Sequence, residues 1–276
     1  MKSLFARVIV ALVAASSHVL AAEGPGKVHD DMHSFVATSH WTSLPVYIVH
    51  SYPHVKLGSP LLPLPFHDIS SLRVGVEWGM TLGSASEAVS NLTIDSASLT
   101  KSATVGNVAF DIWADLDPVK ASNESHARIE IMIWLGSFGT IQPLGWDNKT
   151  TRARAKLGEH TFTLYVGEGP AGQSAFTWIP DANYTRFDQD LSPLVQYLWK
   201  NNLVSPEAYV GTVGFGSEQF FSLNPVAFSS ERLALNITTS GPLPDLTCNA
   251  ATGSFRPPSL LGFAVLFMPL FIFSLL

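Results

Sequence analysis

The sequence predicts an all-β domain, an antiparallel sandwich or barrel that contains a single helix. Many short segments alternate apolar and polar residues, and glycine, proline, asparagine and serine separate them. One segment has instead the spacing of an amphipathic helix. With 276 residues, of which 46% are hydrophobic, the chain is long enough for one domain with a sizeable core.

The predicted strands share this alternation or a run of β-branched residues. In chain order they cover residues 72–78, 90–99, 107–114, 128–135, 160–166, 175–179, 209–221 and 226–237. The predicted helix covers residues 190–202, with Asp190 as a candidate cap and Pro193 in the first turn. We expect the apolar stripe of this helix to pack in the core.

The charge of the chain argues against a nucleic-acid partner. Lys, Arg, Asp and Glu make up 14% of the residues and the formal net charge is -6, whereas binding to phosphates requires clustered Lys and Arg. An aromatic content of 11% suits stacking on the rings of a neutral polysaccharide, although a core accounts for it equally well.

Residues 1–22 have the pattern of a secretory signal peptide. Met1, Lys2 and Arg7 precede an apolar run at 8–15, and small residues follow at 21 and 22. The apolar run is too short to span a membrane. We therefore expect a secreted, extracellular domain that covers residues 23–240.

Residues 241–258 form a predicted linker, and residues 259–276 form an apolar tail. Small residues from Asn249, a polar spacer and this tail are the arrangement that directs attachment of a GPI anchor, here at Asn249, with removal of the tail. A C-terminal transmembrane helix is the alternative. Cys248, the one cysteine, lies in this linker, which predicts no disulfide within the domain and no catalytic role.

Asn-x-Ser/Thr sequons predict surface glycans on a secreted chain. They begin at Asn91, Asn123, Asn148, Asn183 and Asn236, and none has proline at its middle position. We expect a monomeric glycoprotein.

The strand at 128–135 places a glutamate among large apolar side chains. Alternate residues of a strand point to opposite faces. The odd positions from 129 to 135 are all aliphatic and predict a core face. The even positions place Glu130 beside Met132 and Trp134, which is typical of a groove floor rather than of a solvated face.

A second strand has a similar arrangement. In residues 213–220, Glu218 shares a predicted face with Phe220 and with Gly214 and Gly216. Two glycines weaken a strand, and they make sense if a bulky ligand lies directly over the backbone. Asp111, which alternates with core residues in 108–113, is a third candidate, although an Asp near a strand end can also organise a turn.

Two carboxyl groups in an aromatic groove are what glycoside hydrolysis requires. One must be protonated to donate to the leaving oxygen, and the other must be ionised to attack carbon or to activate water. A separation of about 5–5.5 Å between the carboxyl groups gives retention of configuration, and about 6.5–9.5 Å gives inversion. From these residues alone, two ordinary solvated glutamates remain the alternative.

The motifs around these residues resemble glycoside hydrolase family 12. Residues 130–136, followed by Gly139 and by 143–145, resemble its nucleophile strand and the loop after it. Residues 216–220 resemble its acid/base strand, 108–112 the strand with its supporting Asp, and 162–167 the strand after the loop. The resemblance covers about 52–237.

This resemblance implies a concanavalin-like jelly-roll sandwich of two antiparallel sheets and a retaining endo-β-1,4-glucanase. Glu130 would be the nucleophile, Glu218 the acid/base, and Asp111 a supporting residue. The resemblance also implies substrate contacts and a β-1,4-glucan substrate, which is cellulose, mixed-linkage β-glucan or xyloglucan, without a cofactor or metal. The contact residues would be Met132, Trp134, Pro143 and Phe220.

The segment before residue 52 departs from the family. It contains His40-Trp41, but neither the Asn-x-Trp-Gly strand nor the Trp-rich strand of the family. This departure motivates a second hypothesis, a non-catalytic glucan-binding surface protein with a truncated fold. The pairs His29/His33 and His50/His54 have a helical metal-site spacing, but the prolines around them disfavour a helix, so no metal site is predicted.

Overall fold

The alternating segments of the sequence form two β-sheets that enclose one core. The structure is a computed structural model that describes residues 35–39, 49, 52–83, 92–146, 153–239 and 248–249, the segments 35–39 and 248–249 by their backbone. The predicted signal peptide, most of the predicted linker and the predicted apolar tail lie outside these residues. No helix in the described part of the chain is long and apolar enough to cross a membrane.

The smaller sheet has four strands in the order β1-β13-β4-β10. Their bounds are β1 Phe35–Ser39, β4 Ser71–Leu82, β10 Arg186–Asp190 and β13 Val226–Thr238. All of its pairings are antiparallel.

The larger sheet has ten strands. Their bounds are β2 His54–Leu57, β3 Leu64–Pro65, β5 Val105–Asp115, β6 Ile129–Phe138, β7 Ala153–Leu157, β8 His160–Glu168, β9 Ser174–Pro180, β11 Tyr209–Gly216, β12 Gln219–Phe221 and β14 Cys248–Asn249. The order is β14-β7-β8-β9-β6-β5-β11-β2, with β12 paired to β5 and β3 to β11. The pair β6 and β9 is parallel, which differs from the predicted all-antiparallel sheets, because β9 returns beside β6 after the β7–β8 hairpin.

The core lies between the two sheets and confirms the predicted sandwich. It includes the fully buried Trp78 of β4, Ile131 of β6, Trp178 of β9 and Phe215 of β11. The odd positions of β6 face this core, as their alternation predicts. Strands at 72–78, 107–114, 160–166, 175–179 and 226–237 are confirmed as parts of β4, β5, β8, β9 and β13.

The predicted helix is confirmed as α3 (Ser192–Lys200), whose apolar face is buried in the core. Leu191 occupies the N-cap position. The Asp190 carboxylate still accepts hydrogen bonds from the backbone N–H groups of Ser192 and Leu72, so it ties the helix start to β4.

The predicted strand at 90–99 is wrong, because the described residues 92–95 form only an isolated bridge, between Ile94 and Met80. Residues 96–101 form helix α1 (Ser96–Lys101), because the Asp95 side chain caps it by accepting from the N–H of Ser98. The run Ser-Ala-Ser also lacks the β-branched residues that favour strands. Two further short helices are α2 (Pro118–Ala121) and a 3₁₀ turn at Phe66–Asp68. The described residues thus contain three short helical segments besides the predicted helix.

Candidate active site

Neighbouring strands of the larger sheet carry two of the predicted carboxylates on one face. In the pairing of β5 with β6, Trp113 opposes Glu130 and Asp111 opposes Met132. Directly opposed residues share a sheet face. Glu130 and Asp111 therefore lie on the same face, opposite to the core face that bears Ile131. We name it the carboxylate face.

Glu218 lies at a break in the strand that the sequence predicts to be continuous over 209–221. β11 ends at Gly216 and β12 begins at Gln219, so Ser217 and Glu218 belong to neither strand. At the break, side-chain hydrogen bonds join the backbone bonds that Ser217 and Glu218 make to Pro53 and Asn107, and Glu218 is free from the strict alternation of a strand.

Asn107 holds this break in place and is fully buried. Its N–H donates to the Glu218 carbonyl at 3.0 Å, and its Oδ1 accepts from the Glu218 N–H at 3.3 Å. Its Nδ2 donates to Glu218 Oε2 at 2.5 Å. Its carbonyl accepts from Ser217 Oγ at 2.6 Å. The position of the Glu218 carboxyl group is therefore set by one asparagine on β5.

The three carboxyl groups perturb one another's pKa values. Burial, and then the charge of Glu218, raises the pKa of Glu130 from 4.5 to about 7. Burial, and then the charges of Glu218 and Glu130, raises the pKa of Asp111 well above its ordinary range. Burial also raises the pKa of Glu218, against the opposing effect of the Asn107 hydrogen bond. The three groups therefore converge on the carboxylate face, and each is easier to protonate there than in water.

No cation of the described residues neutralises this cluster. The ion pairs that these residues form do not include Asp111, Glu130 or Glu218. Within the same described ranges, no group of three or more His, Cys, Asp or Glu side chains is arranged to hold a metal ion. Buried carboxylates with raised pKa values and no counter-ion are typical of functional sites.

The interpretation of Gly214 and Gly216 as space for a ligand is wrong. A Cβ on Gly216 would lie 2.5 Å from the Cβ of His54, and a Cβ on Gly214 would lie 3.7 Å from the Tyr52 hydroxyl. The two rings stack on each other with centroids 4.3 Å apart. The glycines thus admit side chains of the protein itself.

Tyr52 enters the site over Gly214 and is a residue that the sequence did not indicate. Its hydroxyl and the Oδ1 atom of Asp111 are buried, and neither forms a hydrogen bond of normal geometry with the described residues. Burial, and then the charge of Asp111, raises the pKa of Tyr52 well above its ordinary value. Tyr52 lies before β2, in a segment without strand alternation, so no pattern marks it.

The predicted substrate contacts are mostly covered by protein. Trp134 is 3% exposed, because it packs with Met132 and Ala109 beneath Ile141 and Ile179. Met132 and Phe220 are each 7% exposed. Pro143 is buried in the loop after β6. This loop, residues 139–146, crosses the carboxylate face.

Residues 79–237 match the model of glycosyl hydrolase family 12, and this stretch is more than half of the chain. The chain belongs to glycosyl hydrolase family 12. The match includes Asp111, Glu130 and Glu218, so the three converging carboxyl groups lie within the part shared with the family. The predicted family is therefore confirmed.

The relatives of this chain include proteins named as glucanases and one named as inactive. The chain is 31% identical over 134 residues to a xyloglucan-specific endo-β-1,4-glucanase 1 of Phytophthora sojae, which covers 48% of this chain and 52% of the relative. It is also 29% identical over 134 residues to the inactive glycoside hydrolase XLP1 of Phytophthora nicotianae. That match covers 48% of this chain and 53% of the relative. The chain thus spans about half the length of the curated relatives it matches.

Solved structures agree with the fold. The Trichoderma harzianum endoglucanase 3 of family GH12 superposes with a TM-score of 0.57 at 22% identity, over 74% of this chain and 78% of that one. A native family 12 xyloglucanase from Bacillus licheniformis has a TM-score of 0.55 at 21% identity, over 72% and 79%. These likenesses confirm the predicted jelly-roll class.

The predicted modification sites are only partly within the described residues. Asn123, Asn183 and Asn236 are exposed. Asn183 Oδ1 also accepts a hydrogen bond from the Ser137 N–H at 3.0 Å. Asn91 and Asn148 lie outside the described ranges. Asn249, the predicted anchor residue, pairs through its backbone with Arg154 in the β14–β7 ladder.

Proposed function

We propose that this family 12 protein is a retaining endo-β-1,4-glucanase with Glu130 as nucleophile and Glu218 as acid/base. One observation carries the proposal: Glu130, Glu218 and Asp111 converge on one face, buried and without a counter-ion, with raised pKa values. Glycosidases need one protonated and one ionised carboxyl group, and coupled carboxyl groups in a shared site supply this pair.

The coupling between the two glutamates sets their protonation states. The charge of Glu218 raises the pKa of Glu130. When Glu218 holds a proton, this repulsion is absent, and Glu130 ionises more easily. The state with a protonated Glu218 and an ionised Glu130 is the one that the first step requires.

In the first step, a Glu130 carboxylate oxygen forms a bond to the anomeric carbon while the glycosidic C–O bond breaks. Glu218 gives its proton to the leaving oxygen. In the second step, Glu218 accepts a proton from water, the water oxygen bonds to the anomeric carbon, and the Glu130 ester bond breaks. Each glutamate returns to its starting state.

Asp111 and the neighbouring apolar residues support this chemistry in our proposal. A protonated Asp111 beside Glu130 is favoured by burial and by the charges of both glutamates, so it can donate a hydrogen bond to a carboxylate. Met132 and Trp134 pack together as a largely buried floor, Phe220 is buried on β12 next to Glu218 in the sequence, and Pro143 shapes the loop after β6. These contacts exclude water and so strengthen the electrostatic interactions in the site.

The proposed substrates are xyloglucan, mixed-linkage β-glucan and cellulose. The test is release of reducing ends by the purified protein from each polysaccharide, with Glu130→Gln as the control. We expect activity on at least one polymer, its loss in the variant, and a first-formed product of β configuration by proton NMR. Activity that survives in Glu130→Gln would remove Glu130 from the mechanism, and an α product would replace retention by inversion.

A second candidate is a glucan-binding protein without turnover. It is favoured by the 29% identity to a relative that is named an inactive glycoside hydrolase. In this case the protein would bind the same polysaccharides in affinity electrophoresis but release no reducing ends. Hydrolysis of any of the three polymers would exclude it.

We further propose that the protein is exported by the segment at 1–22 and attached to the cell surface by a GPI anchor at Asn249. The support is the order of small residues, spacer and apolar tail at 249–276. Phosphatidylinositol-specific phospholipase C should release the protein from membranes. Retention in the membrane pellet after treatment would contradict the anchor.

A further inference from the structure

Trp146, on the loop over the carboxylate face, is exposed and stacks on the half-buried Tyr165 of β8, a pair that the sequence did not indicate. The rings of Trp146 and Tyr165 stack with centroids 5.0 Å apart and planes inclined by 28°. Trp146 is 41% exposed, whereas Trp134, the predicted sugar contact, is 3% exposed. An indole with this much free surface is available to a ligand in a way that a covered one is not.

The strand register aligns this pair with the carboxyl groups. Tyr165 of β8 opposes Thr177 of β9, which opposes Met132 of β6. Met132 opposes Asp111 of β5. The four residues form one row across the carboxylate face, at right angles to the strands. With strands about 4.8 Å apart, Tyr165 lies about 10 Å from Met132 along this row.

This row runs between the two glutamates. Glu130 lies in the adjacent row on one side, opposite Trp113. On the other side lies Asn107, four residues before Asp111 on β5, which holds the carboxyl group of Glu218. A glucan whose glycosidic bond lies between the glutamates therefore follows the row, and its sugar units toward β8 reach the aromatic pair.

The loop holds Trp146 in place before any ligand binds. A Cβ on Gly145 would overlap the carbonyl of Val166, and a Cβ on Gly167 would lie 2.5 Å from the Leu144 carbonyl carbon. The backbone N–H of Trp146 also donates a hydrogen bond to the Pro143 carbonyl at 3.2 Å. Backbone packing this close fixes residues 144–146 against β8, and the indole stacks on Tyr165 without a ligand, so ligand binding need not order this part of the loop.

We propose that Trp146 and Tyr165 form a stacking platform for a glucose unit of a β-1,4-glucan chain bound across the carboxylate face. The inference rests on the proposed function, because it needs a glucan between Glu130 and Glu218. The C–H face of the sugar ring packs on the exposed face of the indole, and Tyr165 supports the indole from beneath.

Binding is measured in a Glu130→Gln background, where turnover is not required. The probe is cellohexaose, and its affinity is measured by isothermal titration calorimetry. Trp146→Leu should weaken binding by roughly five- to tenfold, the factor for loss of one aromatic contact. Trp146→Phe keeps a flat ring and should lose roughly twofold or less.

Leu144→Ala is the matched control on the same loop. Leu144 is 40% exposed, and the substitution removes exposed apolar surface but keeps the Cβ that touches Gly167. It should leave the affinity unchanged. Equal losses in Trp146→Leu and Leu144→Ala, or no loss in Trp146→Leu, would overturn the platform.

Tryptophan fluorescence gives a second readout if Trp146→Leu does not fold. Cellohexaose should shift the emission of the Glu130→Gln protein to shorter wavelength, and Trp146→Phe should reduce that shift to the part that comes from the partly exposed Trp113 opposite position 130. A shift of undiminished size in Trp146→Phe would also overturn the platform. Failure of the proposed function would look different: the wild-type protein would release no reducing ends, whereas failure of the platform leaves hydrolysis intact.

Discussion

Two outward faces of the same sandwich treat their charged residues in opposite ways. On the smaller sheet, Glu77 of β4 lies between Arg232 and Arg186, at 2.9 Å and 3.5 Å, and Arg73 pairs with Asp188 at 2.9 Å. On the carboxylate face of the larger sheet, Glu130 has no cationic partner among the described residues and is buried.

This difference in pairing distinguishes charges that keep a sheet face soluble from carboxyl groups that are positioned for chemistry. Paired, solvent-exposed charges are the ordinary way to keep a sheet face soluble, and each pair contributes little to stability. Buried, unpaired carboxyl groups cost folding free energy, and they persist where chemistry requires a raised pKa. Substitutions on the two faces should therefore have effects of different kind and sign.

The largest effect is expected from removing the two glutamates separately. Glu130→Ala should lower kcat by roughly a thousandfold or more on any substrate, because it removes the proposed nucleophile. Glu218→Ala should lose as much on a polysaccharide. It should keep far more activity on an aryl β-cellobioside with an acidic phenol, whose departure needs no proton. Burst kinetics of phenol release measure the difference.

Equal losses for Glu218→Ala on both substrates would assign Glu218 a role other than proton donor. Glu77→Ala is the control from the opposite face. It removes a glutamate that is paired with two arginines, and both activities should stay at the wild-type level.

The next effect is a pH-dependent gain of stability in Glu130→Gln. The folded state holds the pKa of Glu130 at about 7 instead of 4.5. Between these values the folded protein binds more protons than the unfolded one, so stability falls as pH rises and levels off above pH 7. Removing the charge should stabilise the protein by up to about 3 kcal/mol at pH 8 and by little at pH 4.

Urea unfolding of the wild-type protein and of Glu130→Gln at several pH values measures this gain. A difference in free energy of unfolding that does not change between pH 4 and pH 8 would mean that the folded state does not raise the pKa of Glu130. If activity falls while stability rises in Glu130→Gln, misfolding is excluded as the cause of the lost activity.

A smaller effect is expected from Asn107→Ala. The variant removes the hydrogen bond that opposes the rise in the pKa of Glu218. The pKa of Glu218 should rise further, so the alkaline limb of the kcat profile should move to higher pH. Loss of the fixed position should lower kcat by roughly ten- to a hundredfold.

Ser217→Ala is the matched variant for Asn107. It removes the hydrogen bond to the Asn107 carbonyl but leaves the contact between Nδ2 and Glu218 intact. Its alkaline limb should not move. If Asn107→Ala lowers kcat without moving the alkaline limb of the pH profile, Asn107 does not affect the pKa of Glu218. It then only holds the backbone at residues 217–218 in place.

The strand patterns predict the site only where alternation is regular. Glu130 and Asp111 lie in uninterrupted strands, so a period of two places them on one face. Glu218 follows the end of β11, and the hydrogen bonds to Asn107, 111 residues away, decide its position. Such long-range contacts leave no local pattern. For the same reason the sequence did not indicate that Tyr52 and His54 fill the space over Gly214 and Gly216.

The smallest effect, and the one that sharpens the comparison most, is that of Glu77→Gln. The substitution is chemically the same as Glu130→Gln, but the Glu77 side chain is 18% exposed and contacts two arginines. Loss of its charge should destabilise the protein by about 1 kcal/mol or less, and the loss should shrink in high salt. Urea unfolding at pH 8 measures both variants together. Opposite signs for one substitution on two faces would show that the missing partner, and not glutamate itself, makes the charge of Glu130 costly; equal signs would contradict this.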